Sequence, residues 1–170
     1  VGLYESLLRD RFAALDLNVR RAHAAPLTAA GTLDVKHGSH WSVPLWVALL
    51  RLPPAGTGFP TRLTVAASGD GLEWTRRIGG SVVRTRERAN GSRLVEQLGL
   101  GEIAFELDVE DGALVYRQVG ARVGRVAVPP AVSPHVRARV SATASGWRVD
   151  VEIRWLDRLV CRYGGLMELT

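Results

Sequence analysis

From Thr61 to the end of the chain, apolar and polar positions alternate in short runs, and each run stops at a turn dipeptide. Two alternations are clean. Ile103, Phe105, Leu107 and Val109 interleave with Glu102, Ala104, Glu106 and Asp108; Trp147, Val149, Val151, Ile153 and Trp155 interleave with Arg148, Asp150, Glu152 and Arg154. A period of two places one face in a core and the other in water, as in an antiparallel sheet. Asp70-Gly71, Gly79-Gly80, Asn90-Gly91, Gly99 with Gly101, Asp111-Gly112, Gly120, Ser145-Gly146 and Asp157-Arg158 punctuate these runs. Such residues supply the positive φ angles of tight hairpins. Strands joined only by tight turns predict an up-and-down meander of about ten strands. Closing it into a lipocalin-like barrel removes the edges that invite aggregation, which favours a barrel over a sandwich.

Helical spacing occurs in two places only. Leu3, Leu7, Leu8, Phe12 and Leu15 predict an amphipathic helix over residues 3–17 that packs across the mouth or flank of the main fold. Ser42 to Leu50 predicts a short second helix near one opening, with Ser42 as its cap and Pro44 in its first turn. Gly31 to Lys36 reads as the first strand, and Val128 to Pro134, with its three prolines, as a rigid connection. The expected organisation is mainly β: one barrel domain over residues 1–170, carrying these two helices.

Composition narrows the partners. The 22 Lys and Arg against 17 Asp and Glu make the chain basic, and Lys36 is the only lysine. Such a balance can serve a nucleic acid or an anionic lipid surface. On the strands, however, the arginines are interspersed with acids, which reads as a solvated coat, and no nucleic-acid motif accompanies them. The arginine, alanine and valine bias resembles that of chains from GC-rich bacterial genomes. No run approaches a membrane-spanning length. The start, Val1-Gly2-Leu3-Tyr4-Glu5, lacks the basic and apolar regions of a signal peptide. Cys161 is the only cysteine, so a reducing, cytoplasmic location is expected.

Candidate chemistry lies where polar residues interrupt apolar faces. Arg76 shares a face with Leu72, Trp74 and Ile78; Glu96 sits between Leu94 and Leu98; Glu87 follows Val83 and Thr85; Tyr116 follows Leu114. If these faces point inward, Arg76 needs Glu96 or Glu87 as partner, because a buried charge is costly alone. The cavity so formed predicts an apolar small-molecule ligand (lipid, isoprenoid or polyketide-like) held against Trp74, Glu87, Phe105, Tyr116 and Trp147, with Arg76 anchoring a carboxylate or carbonyl. The competing reading is a structural ion pair in a filled core, or a register slipped by one residue. An enzymatic alternative makes Glu96 an acid or base and Arg76 the group that stabilises developing charge, in a cofactor-free cyclisation or isomerisation. The five tryptophans read as core filling, with Trp74 and Trp147 candidates for stacking on a flat ligand. His37 and His40 make an incomplete metal-ligand set and read as loop residues. Cys161 reads as a small core residue. No cofactor or metal is implied, since phosphate loops, nucleophile elbows and zinc spacings are missing.

Several stretches resemble a bacterial family of unknown function, often appended on the C-terminal side of saccharopine-dehydrogenase-like domains. They are Leu3-Tyr4 with Leu7-Leu8, Leu52 to Gly56, Glu73 to Gly80, Leu94 to Gly99, the Pro134 connector, and Val160 to Gly165. The segment Arg122 to Val126 is more basic than that pattern. The resemblance implies no catalytic residues. It adds a third expectation, an interaction module working alongside an oxidoreductase.

Overall fold

The computed structural model describes residues 2–170. Three short helical segments open the chain: α1 (Leu3–Leu8), a 3-10 turn (Arg9–Ala14) and α2 (Leu17–Ala22). Strand β1 (Leu27–His37) follows, then α3 (Val43–Leu49). The meander continues through β2 (Gly56–Ser68), β3 (Gly71–Ile78), β4 (Ser81–Asn90), β5 (Arg93–Leu98), β6 (Gly101–Glu110) and β7 (Ala113–Val123). It ends with β8 (Val126–Ala127), β9 (His135–Ala142), β10 (Trp147–Trp155) and β11 (Arg158–Leu169). All pairings are antiparallel, and both β6–β7 and β1–β11 pair, so ten strands close into a barrel; β8 lies outside the ring, against β7. The alternating strands bury their apolar faces as the period of two requires, and Phe105, Leu107, Trp147, Val151 and Ile153 all belong to the core.

The barrel has two distinct ends. Turns at residues 69–70, 91–92, 111–112 and 143–146 lie at one end, where Tyr4, Leu7 and Leu8 of α1 and Val19 and Ala22 of α2 are buried. The Asp16 N–H donates to the Gly112 carbonyl and the Asn18 amide to that of Thr143, which ties the helices to two of those turns. Turns at 79–80, 99–100, 124–125 and 156–157 lie at the other end, the mouth. There α3 follows β1, and Trp46 packs on Trp155 with ring centroids 5.5 Å apart.

Several local expectations shift. The helix expected over 3–17 is broken: Arg9, at φ 52, ends α1, the 3-10 turn follows, and α-helical backbone resumes only at Leu17. Strand β1 starts at Leu27, four residues before the expected Gly31. Ser42 holds the N-cap position of α3, but its hydroxyl bonds His40 Nδ1 at 2.8 Å instead of capping the helix. Gly120 makes no turn. It lies inside β7 opposite Ala104, beside a register shift, as glycine at a bulge does; the reversal comes at Gly124, φ 58. Trp41 is exposed, not core.

The seam that closes the barrel demands glycine. At the β1–β11 junction a Cβ on Gly31 would sit 1.9 Å from the Leu166 carbonyl oxygen, and one on Gly165 2.0 Å from that of Thr32. No side chain fits either position.

Candidate functional site

Two adjoining cavities run through the barrel. One, about 130 Å³, lies toward the helix-capped end and is bounded there by Ala22 and His23. The other, about 90 Å³, reaches toward the mouth and the Leu50–Pro53 segment after α3. They share Arg76, Glu96, Phe105, Val136, Val151 and Tyr163 as walls. The structure brings every residue expected to line the pocket to the first cavity: Trp74, Arg76, Glu87, Glu96, Phe105, Tyr116 and Trp147 all border it. The strands explain this, because Leu72, Trp74 and Arg76 on β3 stand opposite Glu87, Thr85 and Val83 on β4, and Glu87 stands opposite Glu96 on β5.

Arg76 sits where the two cavities meet. Its guanidinium donates to the Thr85 hydroxyl at 2.8 Å, lies 3.5 Å from Glu96 Oε1 and stacks over the Trp74 ring at 5.1 Å from the centroid. Both Arg76 and Glu96 keep 23% of their side-chain surface accessible, through the cavities they line. Burial works against the Arg76 charge, but Glu96 above all, with Tyr163, Glu87 and Tyr4, holds its pKa above the ordinary value. Burial pushes the Tyr163 hydroxyl up to about 12.

Glu87 is a different kind of carboxyl. It is buried, and it faces Glu96 across the strand pair, where two like charges repel. Burial first, then Glu96, raises its pKa to about 8, against the smaller pull of Arg76. At neutral pH it is mainly a carboxylic acid. Trp74 lies close enough to favour the charged form of Glu87 slightly, yet its indole N–H is outside hydrogen-bond geometry and has no partner.

From Glu87 a single file of polar groups crosses beneath the helices. Glu87 Oε2 is 2.7 Å from Tyr4 Oη, which is 3.1 Å from Tyr116 Oη, which is 2.8 Å from His23 Nε2. His23 Nδ1 lies 2.7 Å from the Val19 carbonyl oxygen. A carbonyl only accepts, so Nδ1 carries a proton. Two proton arrangements then satisfy every member. With both ends neutral, Glu87 donates to Tyr4, Tyr4 to Tyr116, and Tyr116 to the bare Nε2. With a carboxylate and an imidazolium, each of these bonds reverses. Burial selects the first arrangement, since it lowers the His23 pKa to about 4 while raising that of Glu87. Burial likewise raises both tyrosines well above their ordinary range, with Glu87 adding to the effect.

Sequence reasoning passed over Tyr4 and His23 as parts of this site. Tyr4 stood on the apolar stripe of the first helix, and a polar tip on such a stripe is the signal that marks it. His23 had none, because the chain brings it 93 residues from Tyr116 in sequence to within hydrogen-bond distance. His37 and His40 stay in the loop: the His37 ring contacts the Pro53 carbonyl and that of His40 the Ser42 hydroxyl. Cys161 is fully buried, and burial pushes its thiol up to about 11.

A closed antiparallel barrel with a small, mainly apolar interior and a few convergent polar groups is thus the class of molecule present. The chain belongs to the family described as a domain of unknown function (DUF4166), whose model matches residues 15–167. No curated protein matches it in sequence. Among solved structures, a secretary abundant heat soluble (SAHS) protein from Ramazzottius varieornatus is similar, at 12% identity and a TM-score of 0.45, over 83% of this chain and 93% of that one. Among the described residues, no helix is long and apolar enough to cross a membrane.

Proposed function

We propose that the barrel binds an apolar small molecule through a neutral polar head placed between Arg76 and Trp74. The carrying observation is the buried, partnerless indole N–H of Trp74 beside the Arg76 guanidinium, two donors on the wall of an otherwise apolar cavity. Arg76 already has Glu96 as counter-charge, and Glu87 is neutral, so the interior is balanced. A ligand carboxylate would bring an uncompensated charge into a low-dielectric space; a carbonyl would not. Size narrows the class further. An apolar cavity near 150 Å³ accepts a benzene-sized ring, and the first cavity here is about 130 Å³. Of the lipid, isoprenoid and polyketide-like compounds expected, those presenting a short or single-ring portion fit, and a longer chain must extend through the second cavity toward the mouth.

Native mass spectrometry of freshly purified protein tests this, alongside a thermal-shift series of cyclic ketones and their carboxylate counterparts. A copurified apolar adduct, or stabilisation by ketones that Arg76→Ala abolishes, supports the reading. A series in which no adduct appears and no ketone stabilises the protein sinks it.

A second reading is favoured by Glu87, an un-ionised acid facing the cavity. A ligand carbonyl held by Arg76 would stand near a proton donor and near Glu96, as a cofactor-free isomerisation or cyclisation needs. Under that reading Glu96→Gln abolishes turnover and leaves binding nearly intact; under simple binding it changes affinity alone.

A further inference from the structure

The rim of the mouth carries a feature that stands apart from whatever the cavity holds. Trp41 is 79% exposed, and Leu45 and Leu49 follow at four-residue intervals with 63% and 66% exposed. That spacing sets the leucines on one face of α3, turned away from the barrel. Around the same end, Leu100 tops the β5–β6 turn at 82% exposed, Val126 flanks the β7–β8 turn and Leu156 lies in the β10–β11 turn, both also exposed. Most of the exposed large apolar side chains among the described residues belong to this one end.

Arginines stand between them. Arg51, Arg77, Arg122, Arg125 and Arg158 are exposed at this end, and none makes an ion pair among the described residues. The acids nearby are Asp157, Asp34, which accepts the Gly58 N–H, Glu102, bound to Arg88, and Glu152, bound to Arg154. The rim therefore carries surplus positive charge among protruding apolar tips.

We propose that the mouth docks on an anionic lipid bilayer, with Trp41, the α3 leucines and the turn tips entering the headgroup layer while the five arginines bind acidic headgroups. Apolar residues flanked by arginine match such an interface, where tryptophan also concentrates. A protein partner binds best through a contiguous, well-packed cluster of anchors. Beyond the α3 face the tips sit singly on separate turns and form no such cluster, whereas headgroups flow around each one.

Cosedimentation of the full chain with phosphatidylcholine vesicles, with and without phosphatidylglycerol, tests the proposal. The wild type binds the anionic vesicles only, and added salt weakens binding. The double variants L45S/L49S and R51E/R125E each bind roughly tenfold or more weakly, and Leu17→Ser, at the helix-capped end, binds as wild type. All five positions are exposed, and coincident thermal melts certify each variant as folded; the arginine variant decides the matter if the leucine variant misfolds. Absent binding to anionic vesicles, equal binding to neutral ones, or undiminished binding by a folded rim variant overturns it. So does a lipid-free dimer that L45S/L49S dissolves, which would assign the rim to a second copy of the chain.

Discussion

The two ends of the barrel solve opposite problems. At the helix-capped end, ion pairs link charges near the turns: Arg11 meets Asp108, Arg117 meets Asp108 and Glu110, and Arg139 meets Glu110. Beneath them the helices bury leucine, valine and the file from Glu87 to His23. At the mouth, apolar tips face water and arginines stand without partners. Stability is concentrated where polar groups are satisfied and apolar ones covered, and the capacity to meet something else is left where neither holds.

The largest expected effect contrasts two leucines of similar chemistry. Leu8 is 2% exposed beneath the cap and Leu49 is 66% exposed on the rim. Leu8→Ala should cost about 2–5 kcal/mol in denaturant unfolding, and Leu49→Ala no more than about 0.5 kcal/mol. Equal losses would erase the distinction between the ends.

Next is the pH dependence of the capped end. The folded-state pKa of Glu87, about 8, lies above its ordinary 4.5, so its contribution is full below pH 4.5 and is lost as pH rises through 8. His23 works the other way: its folded value, about 4, is below the ordinary 6.5, so stability grows between those limits as pH rises. Between 4.5 and 6.5 the two oppose each other; from 6.5 to 8 Glu87 acts alone and stability falls. Glu96, Arg76, Tyr4 and Trp74 are the groups facing it. Glu87→Gln, measured by urea midpoints, should flatten that fall, and an unchanged profile would remove Glu87 as its source.

Tyr116→Phe sharpens the contrast at a smaller scale. It leaves His23 Nε2 and Tyr4 Oη each short of a partner, at a cost of about 1–3 kcal/mol by the same measurement. Smallest of all is thiol labelling. Cys161, buried with a raised pKa, should react with an alkylating reagent only after unfolding.

Most of the barrel was legible because period-two alternation and turn chemistry are local signals. The inward faces of β3, β6 and β10 follow from Trp74, Phe105 and Trp147 alone, and the Arg76–Glu96 pair from the cost of burying either charge. Turn positions slipped by a residue where Asn90 stayed in its strand and the loop took Gly91 and Ser92. Gly120 misled because a glycine at a bulge and one at a turn look alike in sequence. The file from Glu87 to His23 was out of reach for another reason. Its contacts span 83 and 112 residues of chain for Tyr4 alone, and no local pattern encodes which helix face lands on which strand.

The glycine seam has a consequence for how the molecule is assembled. Every other junction of the ring joins strands consecutive or nearly so in the chain, but β1 and β11 are the farthest apart. Loop-closure entropy therefore sets this pairing last, after the meander has formed. Until Gly31 and Gly165 slide past the opposing carbonyls, the intermediate is a sheet with two bare edges, a template for pairing with its neighbours. A methyl group added at either glycine would hold those edges open, so lost stability and polymerisation during synthesis are expected together.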